Sequence, residues 1–374
     1  MRLNLTEEQE LVRETARRFL ENEAPLSLTR QQFDNPDGFS RTLWRQQSEL
    51  GWASLAVPDH AGGFSASGNR GQDLAIVAEE MGRLVAAGPF IPMAVALDAL
   101  TRGEADAHRP LVETVVAGET VLAWAFGEAG GLWEPAKFET RLRRSGGDFV
   151  LDGAKAYVEA GAQADVLLVT AQSDAGLVQV LVPSGAAGLT VVAGRSVDFV
   201  RRFATAHFQD VRVPASAVVT GPDLGEAQVE RQFQLALLLQ CAETNGALER
   251  AFEFTIDYMR DRYAFGRPIA SFQALKHRIS DMLLRIQSCM ATTDAALEAF
   301  DAGSPETRLL SRVAKAYVSA KSTAMVSDLV QMTGGIAVTW DHDLHLYERR
   351  IALNRAIYGT PEGHRAEVHA LVAQ

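Results

Sequence analysis

Between residues 262 and 277 the chain reads Arg-Tyr-Ala-Phe-Gly-Arg-Pro-Ile-Ala-Ser-Phe-Gln-Ala-Leu-Lys-His. Helical patterns lie on both sides, so Gly266 and Pro268 mark a tight corner between two helices. A corner needs little more than a glycine and a proline. This one also carries Arg262, Arg267, Phe265, Phe272, Gln273 and His277. A guanidinium is always charged and presents its donors in a fixed fork, which suits a pyrophosphate lying against an exposed turn. Phe265 adds a stacking face, and Gln273 both a donor and an acceptor. His277 reads more simply as a packed interface histidine. A second chemistry-bearing run is Gln331-Met-Thr-Gly334-Gly335. Adjacent glycines let backbone N–H groups approach a phosphate or ribose, although the same pair also ends a helix. A third is Tyr358-Gly-Thr360-Pro-Glu362. Thr360 before Pro361 has the residue types of a helix N-cap followed by a first-turn proline.

These runs need elements to position them. Thr6-Glu7-Glu8-Gln9 reads as a capping box that opens a first helix, with Ala16, Phe19 and Leu20 at helical spacing. Helical patterns continue to about Val116. Near Gly118 the texture changes to short β-branched runs separated by turns at Gly146-Gly147 and Asp174-Ala-Gly176. Their close spacing predicts an antiparallel β domain rather than alternating βαβ units. From about Gly225 helical periodicity returns and lasts almost to the end. The expected domains are 1–117 (helical), 118–224 (β) and 225–374 (helical), an α+β chain that is mainly α.

The segment from Arg262 to Gln273 resembles the R-x-x-F-G-x-P-I-x-x-F-Q signature of the acyl-CoA dehydrogenase family, which crosses a subunit interface to hold FAD. The helix–strand–helix order resembles that family's fold too: an N-terminal helical domain, a middle β domain and a C-terminal four-helix bundle. The resemblance implies that Arg262, Phe265 and Gln273 meet the pyrophosphate and adenosine side of FAD. Gln331, Gly334 and Gly335 match its Q-x-x-G-G motif, and Thr360 and Glu362 fall on family positions that touch FAD. In the middle domain Tyr157 keeps the aromatic of the G-x-K-x-[WFY]-I-T segment, but Glu159 replaces its threonine. Gly127 replaces the threonine of T-E-P-x-A-G-S. Both lost hydroxyls lie on the flavin-ring side.

The family reaction desaturates an acyl-CoA: a carboxylate removes the α-proton while flavin takes a β-hydride. The position of the usual glutamate holds Tyr358, and a neutral phenol is a poor base at neutral pH. The backbone N–H there would still polarise a thioester carbonyl. Some branches take the base from the preceding helix, at a position that here is Ala236. The nearest carboxylate is Glu243, bordering Leu239, Ala242 and Gly246. Against an apolar wall its pKa would rise, as a general base requires. A buried salt bridge or a solvated helix position are the plainer readings. The small residues Ala242 and Gly246 fit either a roomy pocket or close helix packing.

The resemblance therefore implies an FAD-dependent acyl-CoA desaturase passing electrons to an electron-transfer flavoprotein, as a dimer or tetramer. A second reading is a non-catalytic subunit that completes the FAD site of a homologous chain, as in heteromeric steroid-degrading members. A third is a flavin monooxygenase on the same fold. The net charge of −11 argues against nucleic-acid binding. No apolar run is long enough to span a bilayer, and the acidic start lacks a signal-peptide core, so a cytoplasmic enzyme is expected. The two cysteines, Cys241 and Cys289, sit in apolar helical surroundings and read as buried thiols. His342 and His345 lack further ligands at metal spacing and read as capping or interface residues.

Overall fold

The computed structural model describes residues 5–36, 38–102 and 107–373. The leading residues 1–4, read above for a leader, lie outside them. The N-terminal part is helical: α1 (Glu7–Glu23), α2 (Leu26–Gln31), α3 (Arg41–Glu49), α4 (Arg70–Arg83), α5 (Phe90–Leu100) and α6 (Arg109–Val116). The Thr6 hydroxyl accepts from Gln9 N–H at 3.2 Å and the Gln9 side chain accepts from Thr6 N–H at 3.2 Å, so the capping box is formed.

The middle part holds β1 (Leu122–Ala125), β2 (Arg141–Ser145), β3 (Asp148–Glu159), β4 (Val166–Ser173), β5 (Gly176–Pro183), β6 (Leu189–Ala193), β7 (Phe203–Val213) and β8 (Val218–Thr220). They join in the order β6-β7-β3-β2-β4-β5-β8, with β1 beside β4. Most pairs are antiparallel, as expected. The β1–β4 pair and a single β2–β4 contact are parallel, so the sheet is mixed. A register shift between Lys155 and Val158 bends β3 and turns Tyr157 into the left-handed region, at φ 56°.

The chain then runs through α7 (Pro222–Asp261), the two-residue strands β9 (Tyr263–Ala264) and β10 (Arg267–Pro268), α8 (Gln273–Asp301), α9 (Thr307–Thr333), α10 (Leu344–Ala356) and α11 (Pro361–Val372). The expected boundary at 225 falls inside the first turn of α7. One continuous apolar core links the three parts, from Ala16 through Leu168 to Tyr358.

The contact of α4 with α7 decides one open reading. A Cβ on Gly246 would lie 1.9 Å from the Glu79 carbonyl oxygen, and one on Gly82 would lie 1.9 Å from that of Glu243. The two helices touch backbone to backbone. Gly246 therefore serves close packing, not a roomy pocket. Cys241 and Cys289 are buried, and burial pushes both thiols up to about 12. No helix among the described residues is long and apolar enough to cross a membrane.

Candidate functional site

The corner after α7 is a tight hairpin. Phe265 and Gly266 both take positive φ, 54° and 82°, which reverses the chain between β9 and β10. Phe265 is 96% exposed, so its ring meets almost nothing of its own chain. Among the described residues its one ring neighbour is Phe272, edge-on at 6.3 Å, and the Arg267 guanidinium lies 4.1 Å over Phe272. Arg262, Gln273 and His277 are exposed.

Helices α8 and α9 run antiparallel, and the Arg278–Asp328 ion pair of 2.6 Å joins the start of one to the end of the other. Exposed Gln331, Gly334 and Gly335 therefore stand at the same end of the bundle as the corner. Gly334 has φ 80° and ψ −164°, a conformation open to glycine, and its N–H closes α9 on Val330. Exposed Ile336, Val338, Leu283 and Leu284 surround this end with apolar surface.

Thr360 and Glu362 stand elsewhere. Thr360 caps α11 by accepting from Gly363 N–H at 3.2 Å, and Glu362 pairs with Arg355 at 2.9 Å. Their end of the bundle is marked by Lys315, whose ammonium reaches the Asn354 carbonyl. Along α9, Lys315 and Gln331 are roughly 24 Å apart at 1.5 Å per residue. The structure thus brings Arg262, Phe265, Gln273, Gln331 and the glycine pair together, and leaves Thr360 and Glu362 at a distance.

Between the β domain and the bundle lies the cleft of Tyr358. Its φ is 62° and its side chain is buried. Its ring sits 5.9 Å from Trp124, 5.4 Å from Trp133 and 6.3 Å from Phe233. Trp124 stacks on Phe126 at 4.4 Å, and Tyr157 meets Trp133 at 5.5 Å. Burial, then the charge of Glu159, push the Tyr358 phenol well above its ordinary value, further still from acting as a base. His364 Nε2 lies 2.9 Å from the Tyr358 carbonyl oxygen, and burial drives the His364 imidazole down to about 3. The ring is therefore neutral, and Nε2–H donates.

Behind this aromatic layer is a buried charge cluster drawn from four elements. Arg201 Nε donates to Glu159 at 2.8 Å, and its Nη1 donates to Glu243 at 3.0 Å and Asn354 at 2.8 Å. Arg350 Nη1 donates to Glu243 at 2.8 Å, and its Nε to Asp198. Asn354 adds a further donor to Glu243 at 2.8 Å. Burial raises Glu159 despite Arg201. Burial would raise Asp198 too, but Arg350 and the Val200 and Arg201 N–H groups hold it below its usual range.

Apolar side chains do stand beside Glu243, which borders a small cavity with Met81, Phe90 and Ile91. Glu243 does face inward, but both of its oxygens are engaged by two guanidiniums and an amide. That is the geometry of a structural ion pair. Sequence reasoning missed Trp133 and Arg201. The indole announces itself only by following Gly130-Gly131, and Arg201 by following Asp198, whose carboxylate turns that loop. His342 Nδ1 accepts from Leu344 N–H at the start of α10, and His345 packs 6.0 Å from Trp340.

The two ends fit FAD differently. The exposed corner offers an arginine, a stacking ring, an amide and open glycine backbone, which suits a pyrophosphate and adenosine. The cleft lacks the two family hydroxyls, and the Trp133 and Tyr358 rings stand in it.

Residues 6–118 match the acyl-CoA dehydrogenase N-terminal domain, and residues 224–372 the acyl-CoA dehydrogenase C-terminal domain. The acyl-CoA dehydrogenase IpdE2 of Mycolicibacterium smegmatis is 29% identical over 359 residues, 96% of each chain. The Tcur3481–Tcur3483 steroid acyl-CoA dehydrogenase superposes with a TM-score of 0.89 at 25% identity, covering 98% of both chains. The ChsE4–ChsE5 complex of Mycobacterium tuberculosis shares the fold, with a TM-score of 0.88 at 24% identity over 100% of this chain and 99% of that one.

Proposed function

Because this chain belongs to the acyl-CoA dehydrogenase family, we propose that it is the FAD-site-completing subunit of a heteromeric acyl-CoA dehydrogenase. The family oxidises acyl-CoA at CH–CH bonds. In this reading a homologous partner chain contributes the base and the substrate cleft. The present chain lends its exposed corner to the partner's FAD. Arg262 would meet the pyrophosphate, Phe265 would lie against the adenosine side, and Gln273, Gln331 and the Gly334–Gly335 backbone would complete the cradle. FAD, where bound, accepts the hydride that leaves the acyl β-carbon. An electron-transfer flavoprotein is the expected next acceptor.

The observation that carries the reading is Tyr358, buried among Trp124, Trp133 and Phe233 at the position that the sequence resemblance assigns to the family's carboxylate. A chain that desaturates by itself needs a base. The carboxylates beside this cleft, Glu159 and Glu243, are both held by Arg201. The near-complete exposure of Phe265 supports a second chain that covers it. The likeness to a steroid acyl-CoA dehydrogenase supports a steroid-derived acyl-CoA as the substrate of the pair.

The test is spectroscopic. The chain is purified alone and after co-expression with a homologous acyl-CoA dehydrogenase chain, then mixed anaerobically with acyl-CoAs. The expected result is no flavin absorbance from the chain alone, and flavin that bleaches with acyl-CoA in the pair. Bleaching of flavin bound to the chain alone overturns the reading.

A further inference from the structure

We infer that the indole of Trp133 is a built-in occupant of the cleft between the β domain and the bundle, and that it keeps a flavin ring out of this chain's own cleft. The inference rests on the pairing role proposed above and supplies its physical cause.

The argument begins at Gly127. A Cβ there would lie 2.4 Å from Trp133 Cζ3 and 2.8 Å from its Cε3. A larger residue at 127 would therefore have to displace the indole from its present position. Gly127 does not have a left-handed backbone. Its lack of a side chain serves the indole, not the turn.

The chain between them is built to return. Glu128 and Leu132 exchange both backbone hydrogen bonds, at 3.0 and 3.2 Å, around Gly130 and Gly131, whose φ values are 78° and 74°. This closes a short hairpin that lays residue 133 back over residue 127. The hairpin is anchored twice. The Gly127 carbonyl accepts from Ala156 N–H on β3 at 2.9 Å. The buried Glu128 carboxylate takes Lys155 Nζ at 2.8 Å, Glu139 N–H at 2.7 Å and the Thr140 hydroxyl at 2.7 Å. Thus the indole is held by the sheet.

Its position is also specific. Trp133 touches Phe126, Tyr157 and Tyr358 on three sides. Tyr157 and Tyr358 each hold a positive φ, a backbone state that bulky residues adopt only where surroundings enforce it. Two enforced aromatics closing on one indole make a filled slot for a flat aromatic ring, with a side chain in the ligand's place.

Riboflavin tests this, because it carries the ring system and lacks pyrophosphate and adenosine. The full-length chain, Trp133→Ala and Trp133→Phe are titrated, with riboflavin fluorescence quenching as the readout. Trp133→Ala is expected to bind at least about tenfold more tightly than the wild type. Trp133→Phe, which keeps a ring in the slot, should behave as the wild type. Equal binding by the wild type and Trp133→Ala overturns the inference, and so does a folded Trp133→Ala that takes up no riboflavin. If Trp133→Ala is too unstable to titrate, Gly127→Ala decides by thermal melting. It should melt several degrees below the wild type because it drives a methyl into the indole. An unchanged melting temperature removes the basis of the proposal. Acyl-CoA bleaching of flavin in the wild-type chain alone would sink the pairing role itself. A riboflavin-indifferent Trp133→Ala would sink only the account of Trp133.

Discussion

The corner at Arg262–Gln273 and the cleft at Tyr358 are built on opposite principles. At the corner, side chains with strong binding chemistry stand in solvent, and Phe265 has given up almost all contact with its own chain. In the cleft the polar groups of Glu243 are answered from within by Arg201, Arg350 and Asn354, and aromatic rings pack on one another beside them. A surface that leaves its chemistry unspent is arranged for something outside the chain. A cleft that consumes its own polar groups is arranged for stability. Under the proposed pairing role, the portion of the family's site turned toward a neighbour is kept, and the portion that would serve the chain's own turnover is filled in.

The sharpest way to break this contrast is at Arg350. Its removal leaves the buried carboxylate of Asp198 without its ion-pair partner and takes one from Glu243. Arg350→Ala should lose roughly 3–5 kcal/mol of unfolding free energy, measured by urea denaturation. A loss within experimental error would show that the cluster does not hold the domains together.

Acid is the next probe. His364 is neutral in the fold, with its imidazole driven down to about 3, against an ordinary value of 6.5. Between those values the unfolded chain binds the extra proton and the folded chain does not. The group's contribution is therefore fully present above pH 6.5 and is lost as pH falls toward 3, by up to about 1.4 kcal/mol per pH unit. Depressed carboxylates such as Asp198 add their losses only below their own ordinary range. The comparison of wild type with His364→Gln belongs between about pH 4.5 and 6.5, where the variant should show the shallower decline.

The smallest stability effect is expected at the corner. Arg262→Ala should change unfolding free energy by no more than about 0.5 kcal/mol, because the side chain is exposed. In a co-purified pair the same substitution should nevertheless reduce retained flavin, read as absorbance per protein. A stable pair with undiminished flavin would remove Arg262 from the cofactor surface.

The corner was legible in the sequence because its information is local: a helix end, a turn and exposed residue types fall within a dozen positions. The helical–β–helical order was legible for the same reason, from runs of one period. The cleft was not. Helical spacing correctly turned Glu243 inward, but its partners lie 42, 107 and 111 positions away, on a loop and on α10. No pattern in one segment announces such a meeting. The parallel β1–β4 pair escaped likewise, since pairing between distant strands leaves no local trace. Gly246 carried a signal that composition could not resolve. Smallness fits a cavity as well as a close approach, and only the Glu79 carbonyl opposite decides between them.

That approach has a further consequence. Where α4 and α7 touch, no side chain intervenes at Gly82 or Gly246 to be trimmed, swapped or repacked. The N-terminal helices and the bundle are thus coupled through main chain, which has no rotamers with which to absorb a partial separation. The two should melt in a single cooperative transition. A fragment ending near residue 117 would lose its matching surface and fail to persist alone. A single transition would mean that the boundaries near 117 and 224 mark changes of texture rather than separate folding units.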